Sequence, residues 1–131
     1  MTTTIETRGV DFVLVTVEDL DRARSFYADV LGMEPSSVWG GTERPVMGAE
    51  FENGTVTIAL FDVAKTGGTH RPGSGAIAIH VDDVQAARER LEAHGVTFVM
   101  DTIDSGVCHQ AIFHDSEGNT LILHNRYAPR D

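Results

Sequence analysis

The residues best equipped for chemistry in this chain are histidines. Six are present, and His80, His109, His114 and His124 fall in stretches of the second half that read as strands. Imidazole is a common metal ligand and the usual general acid–base near neutral pH. His80 and His124 read as a pair that hydrogen-bonds a ligand or satisfies itself, with a metal site as the alternative. Two imidazoles fall short of the three or more protein ligands that a zinc-type site takes. His109 and His114 have opposite parity on one strand, so a single sheet face takes only one of them. His114 immediately precedes a turn and reads as rim. Cys108 is the only cysteine. Its neighbour His109 points to the other face, which argues for a buried, inert thiol and against a Cys–His nucleophile. No Gly-x-Ser-x-Gly elbow, P-loop or dinucleotide fingerprint occurs, and Gly67-Gly68 lacks the strand–helix context of a phosphate loop. Glu43, Glu50 and Glu52 read as a solvated edge, with Glu43 or Glu50 available as a polar anchor.

The elements that carry these residues occur twice. Val17-Glu18-Asp19-Leu20 is answered 64 residues later by Val81-Asp82-Asp83-Val84, Ala23-Arg24 by Ala87-Arg88, Gly54 by Gly118 and Ile58 by Ile122. That period is too long for a solenoid unit and too short for a domain, so two copies sharing one core are expected. Each copy reads as a strand, a helix and three more strands. In the first, Val10 to Val17 is a valine-rich strand. Asp19 caps a helix that carries Leu20, Ala23, Phe26, Tyr27 and Val30 on one face, and Gly32 stops it. Strands follow from Met33 to Trp39, Val46 to Phe51 and Thr55 to Phe61, the last two joined at Asn53-Gly54. Val63 to Gly75 is a patternless linker. In the second copy the strand Ala76 to Val81 precedes a helix from Val84 to His94, stopped by Gly95. Strands then run from Thr97 to Thr102, Val107 to His114 and Thr120 to His124, with a tight turn from Asp115 to Asn119. The expected class is α+β in one domain: module one at about 8–62, the linker at 63–75 and module two at about 76–126.

Composition narrows the partners. The chain has 131 residues, 41% hydrophobic and 23% charged, as in ordinary globular proteins. The net charge of −10 argues against a nucleic-acid backbone as partner. No apolar run approaches the roughly 20 residues that span a bilayer, so no membrane partner is expected. Met1 to Glu6 lacks the regions of a signal peptide, and the lone cysteine fits a reducing compartment; both point to the cytoplasm.

The ordered motifs resemble the vicinal oxygen chelate superfamily, which includes glyoxalase I, extradiol dioxygenases, and fosfomycin- and bleomycin-resistance proteins. The resemblance runs from about Val10 to His124. It rests on Val17-Glu18-Asp19-Leu20 followed by Phe26-Tyr27 and Leu31-Gly32, and on Phe113-His114-Asp115-Ser116-Glu117-Gly118-Asn119. The latter is similar to the family's aromatic–x–Asp-Pro-Asp-Gly-Asn turn, with Ser116 in place of Pro and Glu117 in place of Asp. The resemblance implies two tandem βαβββ modules forming a curved mixed sheet around a cleft, often in a homodimer. In metal-dependent members one ligand sits near the start of the first strand and one on the last strand of each module. Carried onto this chain at the 64-residue spacing, those positions are Phe12, Ile58, Ala76 and Ile122. None binds a divalent cation, and a slip of one residue offers only Asp11. No metal and no cofactor are therefore expected.

The same resemblance puts His80 and His124 toward one end of the sheet, opposite Thr16 and Leu60 in the first module. The expected ligand-binding residues are Phe12, Thr16, Trp39, Met47, Phe51, Ile58, Leu60, Ala76, Ala78, His80, His109, Ile122 and His124. That set describes an apolar, aromatic cleft with a few polar anchors, suited to a flat small molecule. The implied function is metal-free binding that sequesters an aromatic or largely apolar natural product, as in the bleomycin-resistance branch. The alternatives are a glyoxalase-like lyase, isomerase or dioxygenase with a displaced metal or a histidine acid–base, and an accessory domain with a vestigial cleft.

Overall fold

Burial alternates along strand β1 (Phe12–Val17): Val15 and Val17 are buried, whereas Phe12 and Leu14 are each 49% exposed. This alternation divides the protein into a helix-side core and an open sheet face. In the computed structural model, which describes residues 5–130, β1 leads into helix α1 (Leu20–Ser25), continued by a π-helical turn over Phe26–Val30. Strands β2 (Glu34–Trp39), β3 (Gly48–Glu52) and β4 (Thr57–Asp62) complete module one. Module two repeats the plan with β5 (Ala76–His80), α2 (Val84–Ala93), β6 (Ile103–Asp104), β7 (Cys108–His114) and β8 (Thr120–Arg126). The result is two four-stranded sheets, ordered β1-β4-β3-β2 and β5-β8-β7-β6, rather than one continuous sheet. β1 and β4 are parallel, as are β5 and β8, and the other pairs are antiparallel.

Local chemistry explains the elements. The Asp19 side chain accepts the Arg22 N–H at 3.0 Å, and Asp83 accepts that of Ala86 at 3.0 Å, so matching aspartates start both helices. Gly32, at φ 71°, ends the first helical segment in a left-handed conformation that suits glycine. One expected strand is missing. Thr97 to Thr102 contributes only a bridge from Phe98 to Phe113. The Arg88 guanidinium on α2 donates to the Met100 carbonyl at 3.0 Å and to the Thr102 hydroxyl at 3.1 Å. It thereby takes an acceptor that a sheet ladder would otherwise use, and Val99 and Met100 stay exposed.

The largest difference from the sequence reading lies in β4. Ladder partners on the open face are Phe12 with Thr57, Leu14 with Ala59, and Thr16 with Phe61. In module two they are Ala76 with Thr120, Ala78 with Ile122, and His80 with His124. The first strands thus match at a spacing of 64, but the last strands match at 63, with Ala59 answering Ile122 and Phe61 answering His124. The hairpin after Gly54 is one residue longer than the turn after Gly118. A one-residue slip turns every side chain to the other face. Ile58 and Leu60, read as cleft residues, are accordingly fully buried on the helix side. Phe51 lies opposite Ile58 and is buried with it. These three join Tyr27, Phe113, Leu121 and Leu123 in a core that runs through both modules.

Candidate functional site

The open face of module one is aromatic. The Phe12 and Trp39 rings meet edge to face at 6.2 Å between centroids, and Trp39 and Phe61 lie 6.1 Å apart. Trp39 pairs with Gly48 in the ladder. A Cβ on Gly48 would come within 2.7 Å of both the Trp39 ring and the Leu60 carbonyl, so glycine lets the indole lie against β3. The indole N–H donates to one carboxylate oxygen of Glu50, which is half-buried on the same face. Beside it, Glu52 accepts from the Ser36 hydroxyl at 2.6 Å and the Thr57 hydroxyl at 2.7 Å. Those hydrogen bonds lower its pKa below the ordinary carboxylate value.

Module two presents a different face. Ala76, Ala78 and His80 are exposed, and Ile122 and His124 half-buried. His80 and His124 are ladder neighbours, and His80 Nε2 lies 3.6 Å from Asp82 Oδ1. His109, expected in the cleft, shares the helix-side parity of Ala111 and Phe113. There it sits 3.3 Å from Asp104, with its ring 4.8 Å from that of Tyr127. The Tyr127 hydroxyl donates to Asp104 at 2.7 Å. Hydrogen bonds from the Gly106 N–H and from Tyr127 lower the Asp104 pKa. Met47 is half-buried just before β3, its N–H bonded to the Trp39 carbonyl.

Between the modules runs a groove of about 360 Å³ lined by Leu14, Thr16, Gly75, Ala76, Asn119 and Thr120, among others. One end is latched by His70. Its Nδ1 is 3.1 Å from the Thr16 hydroxyl and its Nε2 2.9 Å from the Glu117 carbonyl. Thr16 is thus already engaged by a linker histidine that carried no pattern in the sequence.

The turn from Asp115 to Asn119 fixes the relation of the two modules. Asp115 accepts the backbone N–H groups of Glu117 and Asn119 and the buried Tyr27 hydroxyl, the last at 2.7 Å. Burial raises the Tyr27 pKa, and the Asp115 charge raises it further. Asn119 donates to the Thr16 carbonyl at 2.9 Å. The buried Glu117 carboxylate accepts the N–H groups of Glu18 and Asp19 at 2.9 and 2.8 Å, both from module one. It also pairs with Arg22 through Nε at 2.8 Å and Nη2 at 3.0 Å, and accepts the Ser116 hydroxyl at 2.8 Å. Both departures from the family turn therefore have a use: glutamate reaches across the module boundary, and Ser116 supplies a donor.

The donor set for a divalent cation is poor. At the four corresponding positions the structure puts Phe12, Ala59, Ala76 and Ile122, whose side chains offer no nitrogen, oxygen or sulfur. Among the described residues no group of three or more His, Cys, Asp and Glu side chains is placed to hold a metal ion. These residues do not fit the superfamily's metal. Among the described residues, too, no helix is long and apolar enough to cross a membrane.

Comparison with known proteins places the chain in a family. Residues 9–123 match the model of the Glyoxalase/Bleomycin resistance protein/Dioxygenase superfamily, and the chain belongs to it. It is 29% identical over 117 residues to an uncharacterised protein of Mycolicibacterium smegmatis, covering 88% of this chain and 92% of that one. Its fold is similar to that of the antibiotic-binding protein TnmS3 of a Streptomyces species, with a TM-score of 0.75 at 24% identity over 95% of this chain and 99% of that one. It is also similar to lactoylglutathione lyase of Agrobacterium tumefaciens, with a TM-score of 0.71 at 21% identity over 90% and 93% of the two chains.

Proposed function

We propose that this chain is a metal-free binding protein that sequesters a flat, aromatic or largely apolar natural product. The observation that carries the reading is the open aromatic cluster of Phe12, Trp39 and Phe61, with Phe12 49% exposed on a sheet face. Exposed rings backed by a rigid sheet bury large apolar area at small cost in side-chain entropy when a planar ligand stacks on them. The lack of ligating side chains at Phe12, Ala59, Ala76 and Ile122 supports metal independence, and the fold of an antibiotic-binding protein supports a sequestering role. In this reading two chains pair as a homodimer in the cytoplasm and leave the Phe12 face open to the ligand.

The test is a thermal-shift screen of aromatic antibiotics and flavin-like compounds. A binder at a hundredfold excess over its Kd adds about 2.7 kcal/mol of stability. Silence across a broad panel overturns the proposal. With a binder in hand, Phe12→Ala is expected to weaken affinity about tenfold, the equivalent of roughly 1.4 kcal/mol, and to leave the free protein's stability within about 1 kcal/mol. Calorimetric titration and urea unfolding measure the two effects. The adjacent His80 and His124 favour a second reading, histidine acid–base catalysis of a glyoxalase-like lyase or isomerase reaction. Stoichiometric metal in the purified protein, with turnover lost on chelation, would replace metal-free binding with a metalloenzyme.

A further inference from the structure

Resting on that binding role, we infer that the module-one half of the cleft selects flat ring systems that carry a protonated amine. The platform is Trp39, lying against Gly48 and in ring contact with both Phe12 and Phe61. The face of an indole or benzene ring is electron-rich and attracts a cation, most strongly once water is displaced. Glu50 stands on the same sheet face. One of its oxygens accepts the Trp39 N–H. The other carries no hydrogen bond among the described residues, so the indole anchors the carboxylate and leaves half of its acceptor capacity open.

On the ladder positions of this face the charge has one sign. Glu52 lies on this face, and among the described residues no lysine or arginine occupies a ladder position on it. The open face of module two carries His80 and His124 and no carboxylate at the ladder positions of β5, β7 and β8. The cleft is therefore polarised, acidic on the aromatic side. A neutral ring stacked on Trp39 would strip water from the open Glu50 oxygen and return nothing, leaving a polar group unsatisfied. An anionic ring would add repulsion. A ring bearing an ammonium or amidinium group supplies the missing donor as a charge-assisted hydrogen bond.

Trp39 is the chain's single tryptophan, so its fluorescence reads this site alone. Acridine, 9-aminoacridine and acridine-9-carboxylate are ring-matched probes that are neutral, cationic and anionic near pH 7.5. Calorimetry and Trp39 quenching are expected to rank them cation, neutral, anion, with 9-aminoacridine at least tenfold tighter than acridine. Glu50→Gln keeps an oxygen for the indole N–H. It should weaken 9-aminoacridine about tenfold and leave acridine within twofold. Equal affinities, an unaffected Glu50→Gln variant, or no binding of 9-aminoacridine would each overturn amine selection. The broader binding role fails separately, only if the whole thermal-shift panel is silent.

Discussion

Replacing Glu117 with alanine is expected to destabilise the protein by about 2–4 kcal/mol, because it strands two backbone N–H groups that a buried carboxylate satisfies and removes the partner of a half-exposed arginine. Total stability of a domain this size is roughly 5–15 kcal/mol, so this one side chain accounts for a large share of it. The cost concentrates here because one buried carboxylate serves both modules. Its loss strands the Glu18 and Asp19 N–H groups and deprives Arg22 of its ion pair. Glu117→Gln retains a carbonyl for the two N–H groups and should cost about half as much. Acid supplies a sharper signature. Burial by itself would raise the carboxyl pKa, but the Arg22 guanidinium, the Asp19 N–H, the Ser116 hydroxyl and the Glu18 N–H together hold it at about 2 against an ordinary 4.5. The folded value lies below the unfolded one. The ionic contribution is thus complete above about 4.5 and lost as pH falls toward 2. Urea unfolding should show a constant gap between the native protein and Glu117→Gln from pH 7 to 5, narrowing below 4.5. A gap unchanged down to pH 3 would remove Glu117 as the ionised clamp.

The clamp was only partly legible in the sequence. Phe113 to Asn119 identified a turn and a family. Glu117, however, reads locally as a longer aspartate, and its partner Arg22 is 95 residues away. No periodicity reports a contact at that distance. The helices were more legible, because Asp19 and Asp83 cap them within one turn and Gly32 and Gly95 end them with positive φ. Glu50 was half-legible. A glutamate beside a hairpin reads as solvated, and the indole that binds it arrives from β2, across an irregular register between Pro35 and Val38. His70 was illegible for the same reason: nothing in a patternless linker marks a residue that reaches Thr16.

The register of β4 was the least legible element, and its consequence is measurable. From Ile58 to Leu60 the strand is apolar and buried on both faces, so alternation cannot say which side chain points where. The 64-residue repeat points to the wrong face, because the first hairpin holds one residue more than the second turn. Ile58→Ala is therefore expected to behave as a core truncation, costing about 2–5 kcal/mol, with ligand affinity in the folded protein unchanged. Phe12→Ala should do the opposite, sparing stability and weakening binding. The two residues differ by one ladder step, Val13 being the partner of Ile58 and Phe12 that of Thr57. That one step decides whether a side chain packs under the helices or meets the ligand. Urea unfolding and titration of both variants with one ligand form a crossed comparison. If Ile58→Ala lost affinity as Phe12→Ala does, the aromatic platform would extend through the sheet to a site on its helix side.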